Sequence, residues 1–168
     1  MPRLIRGGAV VQDGFVVVRE AAGPFDLPDG DVIVPLALWQ SHREVLRARG
    51  RVGVWLAPAD DPVALAGDLD RLPVVAVDFP AFTDGRGYSH ARSLRERHGY
   101  KGELRAIGDV QRDQLYYLAQ VGFDAFAMAD GRDADAALAG LRDFSDGYQS
   151  THARTPWFRR REALGGAR

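Results

Sequence analysis

Short apolar runs alternate along the chain with longer segments in which the apolar residues recur at helical spacing. The runs are "DVIVPL", "RVGVWLAP", "PVVAVDF", "GELRAIGD" and "FDAFAMA". Each is followed by a segment such as "ALWQSHREVLRARG", whose apolar residues fall on one side of a helix. Apolar runs of this length predict buried strands, and the segments between them predict helices. The pattern therefore predicts about five βα units.

This alternation predicts an α/β fold in a single domain covering residues 1–150. Strands that alternate with helices over short connections form parallel sheets with right-handed crossovers. We expect a mainly parallel sheet that is open and covered by helices. A partial TIM-barrel-like arrangement is the alternative, because periodicity does not fix the strand order and a full barrel needs eight strands. Residues 151–168 lack a sustained pattern and are predicted to form a tail that is flexible or docks on a partner.

The first residues follow a different pattern from the rest of the chain. "LIRGGAVVQDGFVVVRE" contains two short apolar stretches, and Asp-Gly is a favoured pair in tight hairpin turns. We therefore predict a short N-terminal β-hairpin with its turn at Gln12, Asp13 and Gly14.

Composition narrows the range of partners. The chain has 168 residues and a net charge of -1, so no overall field would attract nucleic acid or an anionic membrane. It has no cysteine, which excludes disulfides and thiolate-held iron–sulfur clusters within the chain. The N-terminus lacks the apolar core of a signal peptide, and no run approaches the ~20 apolar residues that span a bilayer. We expect a cytoplasmic protein, and whether it forms a homo-oligomer stays open.

The loop after the third predicted strand carries the clearest candidate chemistry. In "TDGRGYS" two glycines allow close approach of the backbone to a ligand, and the start of the following helix favours an anion. The arginine adds a charged bidentate donor and the serine adds a hydroxyl. These features predict an oxyanion pocket that uses Thr83, Asp84, Gly85, Arg86, Gly87 and Ser89. The same residues also fit a plain turn in which Thr83 or Asp84 caps the helix and Arg86 pairs with an aspartate.

Other charged residues in the next two elements extend this prediction. Helical spacing places Arg97 in solvent and Arg92 beside Glu96 as a solvated ion pair. The alternative is that Arg92 joins Arg86, Arg105 and Arg112 in supplying the positive charge of the oxyanion pocket. Arg105 lies on an otherwise apolar strand, where a buried charge needs a carboxylate partner or a bound anion. The carboxylates expected to meet it are Asp78, Asp109 and Asp124.

Arg105 and the residues after it complete the predicted site. Asp109 at the strand end is either an acid/base group or a helix cap, and Arg112 follows it. We predict that Arg105, Asp109 and Arg112 join the oxyanion pocket. The candidate proton-transfer residues are Asp78, Asp109 and Tyr88. The four histidines are scattered without ligand spacing, so no metal site is predicted.

Residues 78–126, from "DFPAFTDGRGYS" to "VGFDAF", resemble the signature core of the bacterial DUF934 family. Members of that family have no established function and are often described as probable oxidoreductases involved in sulfite reduction. Their genes commonly lie beside those of assimilatory sulfite reductase and phosphoadenylylsulfate reductase. The resemblance therefore implies a role in sulfate assimilation, but it supplies no active site to carry over residue by residue.

Two functions fit this implication. The first is an accessory protein that binds an oxyanion, or a sulfated or phosphorylated ligand, at the strand ends, or that docks on sulfite reductase or another enzyme of sulfate assimilation. The alternative is a flavin- or nicotinamide-dependent oxidoreductase acting in sulfite reduction. No cofactor motif is evident, because "TDGRGYSH" lacks the third glycine of the dinucleotide fingerprint, but the sequence excludes neither flavin nor nicotinamide.

Overall fold

The computed structural model describes residues 3–129 and 131–141, and one curled sheet organises them. Within these residues the sheet has eight strands: β1 (Arg3–Arg6), β2 (Ala9–Gln12), β3 (Phe15–Val17), β4 (Asp31–Pro35), β5 (Val52–Leu56), β6 (Val74–Phe79), β7 (Glu103–Gly108) and β8 (Ala125–Ala127). The helices are α1 (Leu36–Ser41), α2 (Arg43–Arg49), α3 (Arg86–Arg92), α4 (Leu115–Gln120) and α5 (Ala134–Gly140). The predicted tail, residues 151–168, lies outside the described residues.

The sheet is mixed, which corrects the prediction of a mainly parallel one. Its strand order is β2-β1-β8-β7-β6-β5-β4-β3. Strands β3 to β8 pair in parallel with their neighbours in sequence, whereas β1 pairs antiparallel with both β2 and β8. The difference arises because the N-terminal hairpin joins the same sheet beside the last strand, a long-range pairing that no local pattern specifies.

The sheet curls like part of a barrel instead of lying open. Its two end strands, β2 and β3, are joined by Asp13 and Gly14 alone, so their adjoining ends are at most about 11 Å apart. Because successive parallel strands are neighbours, crossovers of the usual right-handed sense place the connecting segments on the same face. One face is therefore convex and covered by helices, and the other is concave. The expectation of an open sheet is wrong, and the alternative of a partial TIM-barrel-like arrangement describes this curl.

The N-terminal hairpin turns at Gly7 and Gly8, not at the predicted Gln12-Asp13-Gly14. Both glycines have positive φ, 59° and 77°, as a two-residue hairpin turn of type I′ requires. Asp13 instead forms the corner between β2 and β3, where its Oδ1 accepts a hydrogen bond of 3.0 Å from the backbone N–H of Phe15. The Gly-Gly pair is the stronger turn signal because it suits both positive φ values.

The concave face holds a small apolar cluster and one fully buried arginine. The cluster is Phe15, Ile33, Val74, Ala76 and Ile107. Nη1 of Arg105 lies 2.6 Å from Oδ2 of Asp13, and its Nε donates to Oε1 of Glu103 at 2.8 Å. The expected carboxylate partner exists, but it comes from the β2–β3 corner and from β7 itself, not from the aspartates that the sequence suggested. The Arg105–Asp13 pair ties β7 to the corner across the concave face.

The helices are shorter than the pattern predicted. The segment after β4 forms two helices because the chain leaves helical geometry at His42, whose φ is -131°. Helix α3 continues as a π-helical turn, Ser93–Arg97. In the part of the chain that the structure describes, no helix is both long enough and apolar enough to cross a bilayer.

Candidate functional site

In the part of the chain that the structure describes, the loops at the carboxyl ends of the parallel strands border three hollows, one of which, of about 650 Å³, lies between residues 19–22 and α1. The other two are named here. The first, the α3 groove, has a volume of about 460 Å³ and lies between residues 60–62, after β5, and the exposed side of α3. The second, named the mouth cleft, has a volume of about 640 Å³. It lies where the curled sheet is not closed, between β3 on one side and the ends of β7 and β8 on the other. Both hollows are in the position where parallel sheets bind ligands.

The arginine of the "TDGRG" loop, Arg86, is paired with an aspartate of the same loop. Nε and Nη2 of Arg86 donate to the two carboxylate oxygens of Asp84 at 3.0 and 2.7 Å, and the backbone N–H of Arg86 donates to Oδ1 at 3.2 Å. These hydrogen bonds lower the pKa of the Asp84 carboxyl to about 2. Thr83 is exposed and makes no hydrogen bond to any described residue. The loop thus has the geometry of the turn that the sequence offered as its second interpretation.

The two glycines of the loop differ in their surroundings. A Cβ added to Gly87 would lie 2.5 Å from Cζ of Phe79, whereas one added to Gly85 would meet nothing within 4 Å. Gly87 is buried and allows α3 to pack directly on the ring that ends β6. Its lack of a side chain therefore serves the contact between helix and strand, and Gly85 occupies the N-cap of α3.

Asp109 ties the loop after β6 to the loop after β7. Its Oδ2 accepts a hydrogen bond of 3.2 Å from the backbone N–H of Phe82, and Gln114 Nε2 donates to the carbonyl of Phe82 at 3.0 Å. Arg112 begins the short 3-10 turn Arg112–Gln114 and is not without an interaction partner. The carboxylate of Asp109 therefore caps a neighbouring loop, not its own helix.

The predicted anion-binding arginines do not share partners. Arg105 is enclosed on the concave face with Asp13 and Glu103, whereas Arg86 is exposed beside Asp84. The predicted proton-transfer residues are likewise separated. Asp78 faces the concave side, and Tyr88 packs its ring edge-on against Phe79, with ring centroids 5.7 Å apart. Burial raises the pKa of the Tyr88 phenol.

The α3 groove is lined by Arg97, which sequence reasoning assigned to solvent, and by Arg92, which it assigned either to a solvated pair with Glu96 or to the oxyanion pocket. Within the described residues, the side chains of Arg92 and Arg97 form no ion pair and no hydrogen bond, so the expected pair of Arg92 with Glu96 is not formed. Both reach the groove because the π-helical turn Ser93–Arg97 adds a residue to the helical turn between them. Helical spacing of 3.6 residues gives no signal for such a turn.

Some of the other polar groups of the α3 groove already have hydrogen-bond partners, and others do not. The carboxylate of Asp60 accepts a hydrogen bond of 2.7 Å from the backbone N–H of Ala57, and Asp61 accepts one of 3.0 Å from Val63. Nε2 of His90 lies 3.2 Å from the carbonyl oxygen of Ala57. The hydroxyls of Ser89 and Ser93, like the two guanidinium groups, make no hydrogen bond to a described residue. Within the described part of the chain, the groove therefore combines two guanidinium groups and two hydroxyls whose side chains have no partner.

A different arrangement borders the mouth cleft. Nη1 of Arg19 lies 2.8 Å from Oδ1 of Asp78, and the guanidinium carbon lies 5.2 Å from the centroid of the Trp55 ring. The sequence identified Asp78 but gave no signal for Arg19, whose position depends on β3 pairing with β4. Among the described residues, no group of three or more His, Asp or Glu side chains is placed to hold a metal ion.

Comparison with known proteins gives one family match. Residues 53–158 match the model of a family described as "Bacterial protein of unknown function (DUF934)". A search of curated proteins finds no match.

Proposed function

The chain belongs to the DUF934 family, and we propose that it is an accessory protein of assimilatory sulfate/sulfite reduction that binds a small oxyanion or a sulfated ligand. We place this ligand in the α3 groove. The observation that carries the proposal is the pair of guanidinium groups, Arg92 and Arg97, which have no carboxylate partner among the described residues and face the same groove as two serine hydroxyls.

Guanidinium groups and hydroxyls are the donors that suit sulfur oxyanions. Arginine presents parallel N–H groups that match two oxygens of a planar or tetrahedral anion, and charge-assisted hydrogen bonds are about twice as strong as neutral ones. The volume of about 460 Å³ falls within the range of small-molecule sites and accommodates a ligand larger than sulfate, such as an adenosine phosphosulfate. The groove thus suits either the free anion or its nucleotide conjugate.

Glu96 is the group that opposes an anion in this groove. Asp60 and Asp61 also line it, but each accepts a backbone N–H bond that offsets part of its charge. Glu96 is exposed and has no partner among the described residues. Its substitution by glutamine should therefore strengthen anion binding, whereas substitution of either arginine should weaken it.

Calorimetry with sulfite, sulfate and adenosine 5′-phosphosulfate at low ionic strength tests the proposal. We expect at least one ligand to bind, Arg92→Gln with Arg97→Gln to weaken it tenfold or more, and Glu96→Gln to tighten it. Arg71→Gln is the matched control, because Arg71 is an exposed arginine in the turn Leu69–Arg71 that precedes the opposite end of β6. Equal affinity in the double variant and in the control would exclude the α3 groove.

Docking on sulfite reductase is the other form of this accessory role. Phe82 and Tyr117 are large, exposed aromatic side chains, and Gln114 links their two elements by its bond to the carbonyl of Phe82. Aromatic residues are enriched in protein interfaces. We expect co-purification of the reductase to be lost in the variant with Phe82→Ala and Tyr117→Ala and retained in the groove variant; the opposite result would contradict docking at this surface.

The alternative function is a flavin- or nicotinamide-dependent oxidoreductase, and it rests on the family resemblance alone. The absorption spectrum of the purified protein and calorimetry with NADPH test it directly. A flavin spectrum, or NADPH binding that survives loss of Arg92 and Arg97, would favour this alternative over the accessory role.

A further inference from the structure

His90 connects the two sides of the α3 groove. It belongs to α3 and lines the groove, and its Nε2 lies 3.2 Å from the carbonyl oxygen of Ala57, in the loop after β5. The backbone N–H of the same Ala57 donates to the carboxylate of Asp60, which lines the opposite side. The imidazole ring is therefore held at the junction of the two sides by a contact that uses only one of its two nitrogens.

This contact determines where the neutral imidazole carries its proton. A carbonyl oxygen only accepts hydrogen bonds, so Nε2 of His90 is the donor and Nδ1 of the neutral ring carries no proton. Nδ1 has no hydrogen-bond partner among the described residues. Within those residues the buried side-chain atoms that lack a partner belong elsewhere, for example to His42, so Nδ1 of His90 is accessible. Protonation of Nδ1 therefore adds a charge and a donor without breaking the contact with Ala57.

The charges around His90 make this proton important to an anion. They come from the loop after β5, from the "TDGRG" loop and from α3 with its π-helical turn: Asp60, Asp61, Asp84, Arg86, Arg92, Glu96 and Arg97. Asp84 and Arg86 pair with each other, which leaves three carboxylates and two guanidinium groups in the lining of the groove. With neutral His90 the lining thus has one negative charge in excess, and an imidazolium removes that excess.

We propose that His90 is a third anion-binding residue of the α3 groove and that it binds the oxyanion as an imidazolium, so that binding takes up a proton from solvent. This inference rests on the oxyanion function proposed above. Nδ1–H donates to one oxygen of the anion, and Arg92 and Arg97 donate to the others. Three cationic donors suit a fully ionised anion, such as sulfate or the phosphosulfate group of adenosine 5′-phosphosulfate, better than hydrogensulfite, which carries a single charge.

The proposal fixes the sign of the pH dependence. Imidazole side chains change charge between about pH 5 and 8, whereas carboxylic acids and guanidinium groups ordinarily titrate outside this range. Because the anion binds the imidazolium in preference to the neutral ring, its affinity falls as the pH rises. One linked proton changes the affinity by at most about tenfold per pH unit.

Calorimetry in buffers of different ionisation enthalpy counts the protons taken up on binding. Sulfate and adenosine 5′-phosphosulfate are the probes, because neither gains a proton of its own in the range where imidazole titrates, so any uptake belongs to the protein. We expect an uptake above zero and up to about one proton per bound anion. We also expect at least tenfold higher affinity at the acidic end of that range than at the basic end.

Two histidine variants assign the proton. His90→Gln should abolish both the proton uptake and the pH dependence, because glutamine keeps a donor for the carbonyl of Ala57 but gains no charge. His98→Gln is the matched control and should retain both, since His98 ends the π-helical turn of the same helix, outside the lining of the groove. The proton count in the wild-type protein tests the proposal even where His90→Gln does not fold.

The possible failures separate this inference from the function on which it rests. Anion binding without proton uptake at any pH in the range, or with unchanged uptake in His90→Gln, overturns the role of His90 and leaves the oxyanion function of the groove in place. Binding of sulfite but of neither fully ionised probe also overturns it. If sulfate, sulfite and adenosine 5′-phosphosulfate all fail to bind, the proposed function fails as well.

Discussion

Burial decides how much each arginine contributes to the fold. Arg105 and Arg51 both lie over the ring of Phe15, at 5.5 and 5.0 Å from its centroid, and each pairs with an aspartate. Arg105 is fully buried, whereas the side chain of Arg51 is 65% exposed. Loss of a buried partner leaves its carboxylates uncompensated in the interior, and loss of an exposed one changes little.

We therefore predict that Arg105→Met lowers the free energy of unfolding by about 3–5 kcal/mol. Arg51→Met, the matched control, should cost less than about 1 kcal/mol. Urea unfolding followed by circular dichroism measures both values. Similar costs for the two variants would mean that the Arg105–Asp13 pair does not close the sheet as described.

The ion pair in the "TDGRG" loop makes a prediction about pH. The pKa of Asp84 in the folded protein is about 2, below its ordinary 3.8, because Arg86 donates to it. A lowered carboxyl pKa means that the contact contributes its full stability above the unfolded value and loses it as the pH falls through about 2. In the Arg86→Gln variant, the pKa of the Asp84 carboxyl should rise towards 3.8. Carbon-13 NMR titration of that carboxyl measures this change.

The same titration tests the oxyanion pocket predicted from this loop. An anion that binds Arg86 would compete with Asp84, so added sulfite or sulfate would raise the Asp84 pKa in the wild-type protein. We expect no such change if the anion binds in the α3 groove. If the Asp84 pKa rises with the concentration of the anion, the anion binds at the "TDGRG" loop, as the sequence predicted.

At the scale of elements, the strands were predictable and the helix ends were not. The five apolar runs correspond to β4 to β8, since buried strands need continuous apolar residues whatever their neighbours are. Helix α3 shows the limit. Its start at a glycine-bearing loop could be predicted, but the π-helical turn that follows depends on tertiary packing, and that turn places Arg97 in the groove.

The contact between α3 and β6 also gives a prediction. Gly87→Ala would place its Cβ 2.5 Å from the ring of Phe79, so the helix or the ring must move. We expect a loss of about 1–3 kcal/mol in thermal or urea unfolding, as for other overpacked contacts. Gly85→Ala is the control and should cost less than about 1 kcal/mol, because a Cβ there meets no atom within 4 Å.

A double variant identifies the cause of that loss. Phe79→Leu makes room beside position 87, so in its background Gly87→Ala should cost less than it does alone, a non-additivity expected only for residues in contact. Additive costs would show that the glycine matters for backbone freedom and not for the packing of α3 on the ring.

At the scale of the whole molecule, the sheet order depends on contacts that no local pattern contains. The pairing of β1 with β8 joins residues more than a hundred positions apart. Asp13 lies at a corner of the sheet only because β3 pairs with β4. The sequence could therefore predict an α/β domain but not which strand forms each end of the sheet. The same holds for the candidate site. The sequence could predict that the strand-end loops form it, but not that side chains following β3 and in the π-helical turn lie beside those loops.

The curled sheet predicts how the segment matched by the family model behaves alone. That match begins at residue 53, within β5, so a fragment of residues 53–168 lacks β1 to β4. It loses the strands that pair with β5 and β8, exposing both edges of the remaining sheet, and it loses Asp13, one of the two carboxylate partners of the buried Arg105. Exposed edges of buried parallel strands promote aggregation, and removing one partner from a buried ion-pair cluster is costly.

We expect this fragment to show no cooperative unfolding transition in urea, in contrast to the full chain. Addition of a separately produced fragment of residues 1–52 should restore a cooperative transition, because it supplies both missing strand neighbours and the corner aspartate. The same 1–52 fragment with Asp13→Leu should restore it less well, since Arg105 then keeps Glu103 as a partner but lacks the corner aspartate. The opposite result is a cooperative transition of the 53–168 fragment alone, at the same urea midpoint as the full chain. It would show that the N-terminal strands are not needed for the stability of the sheet.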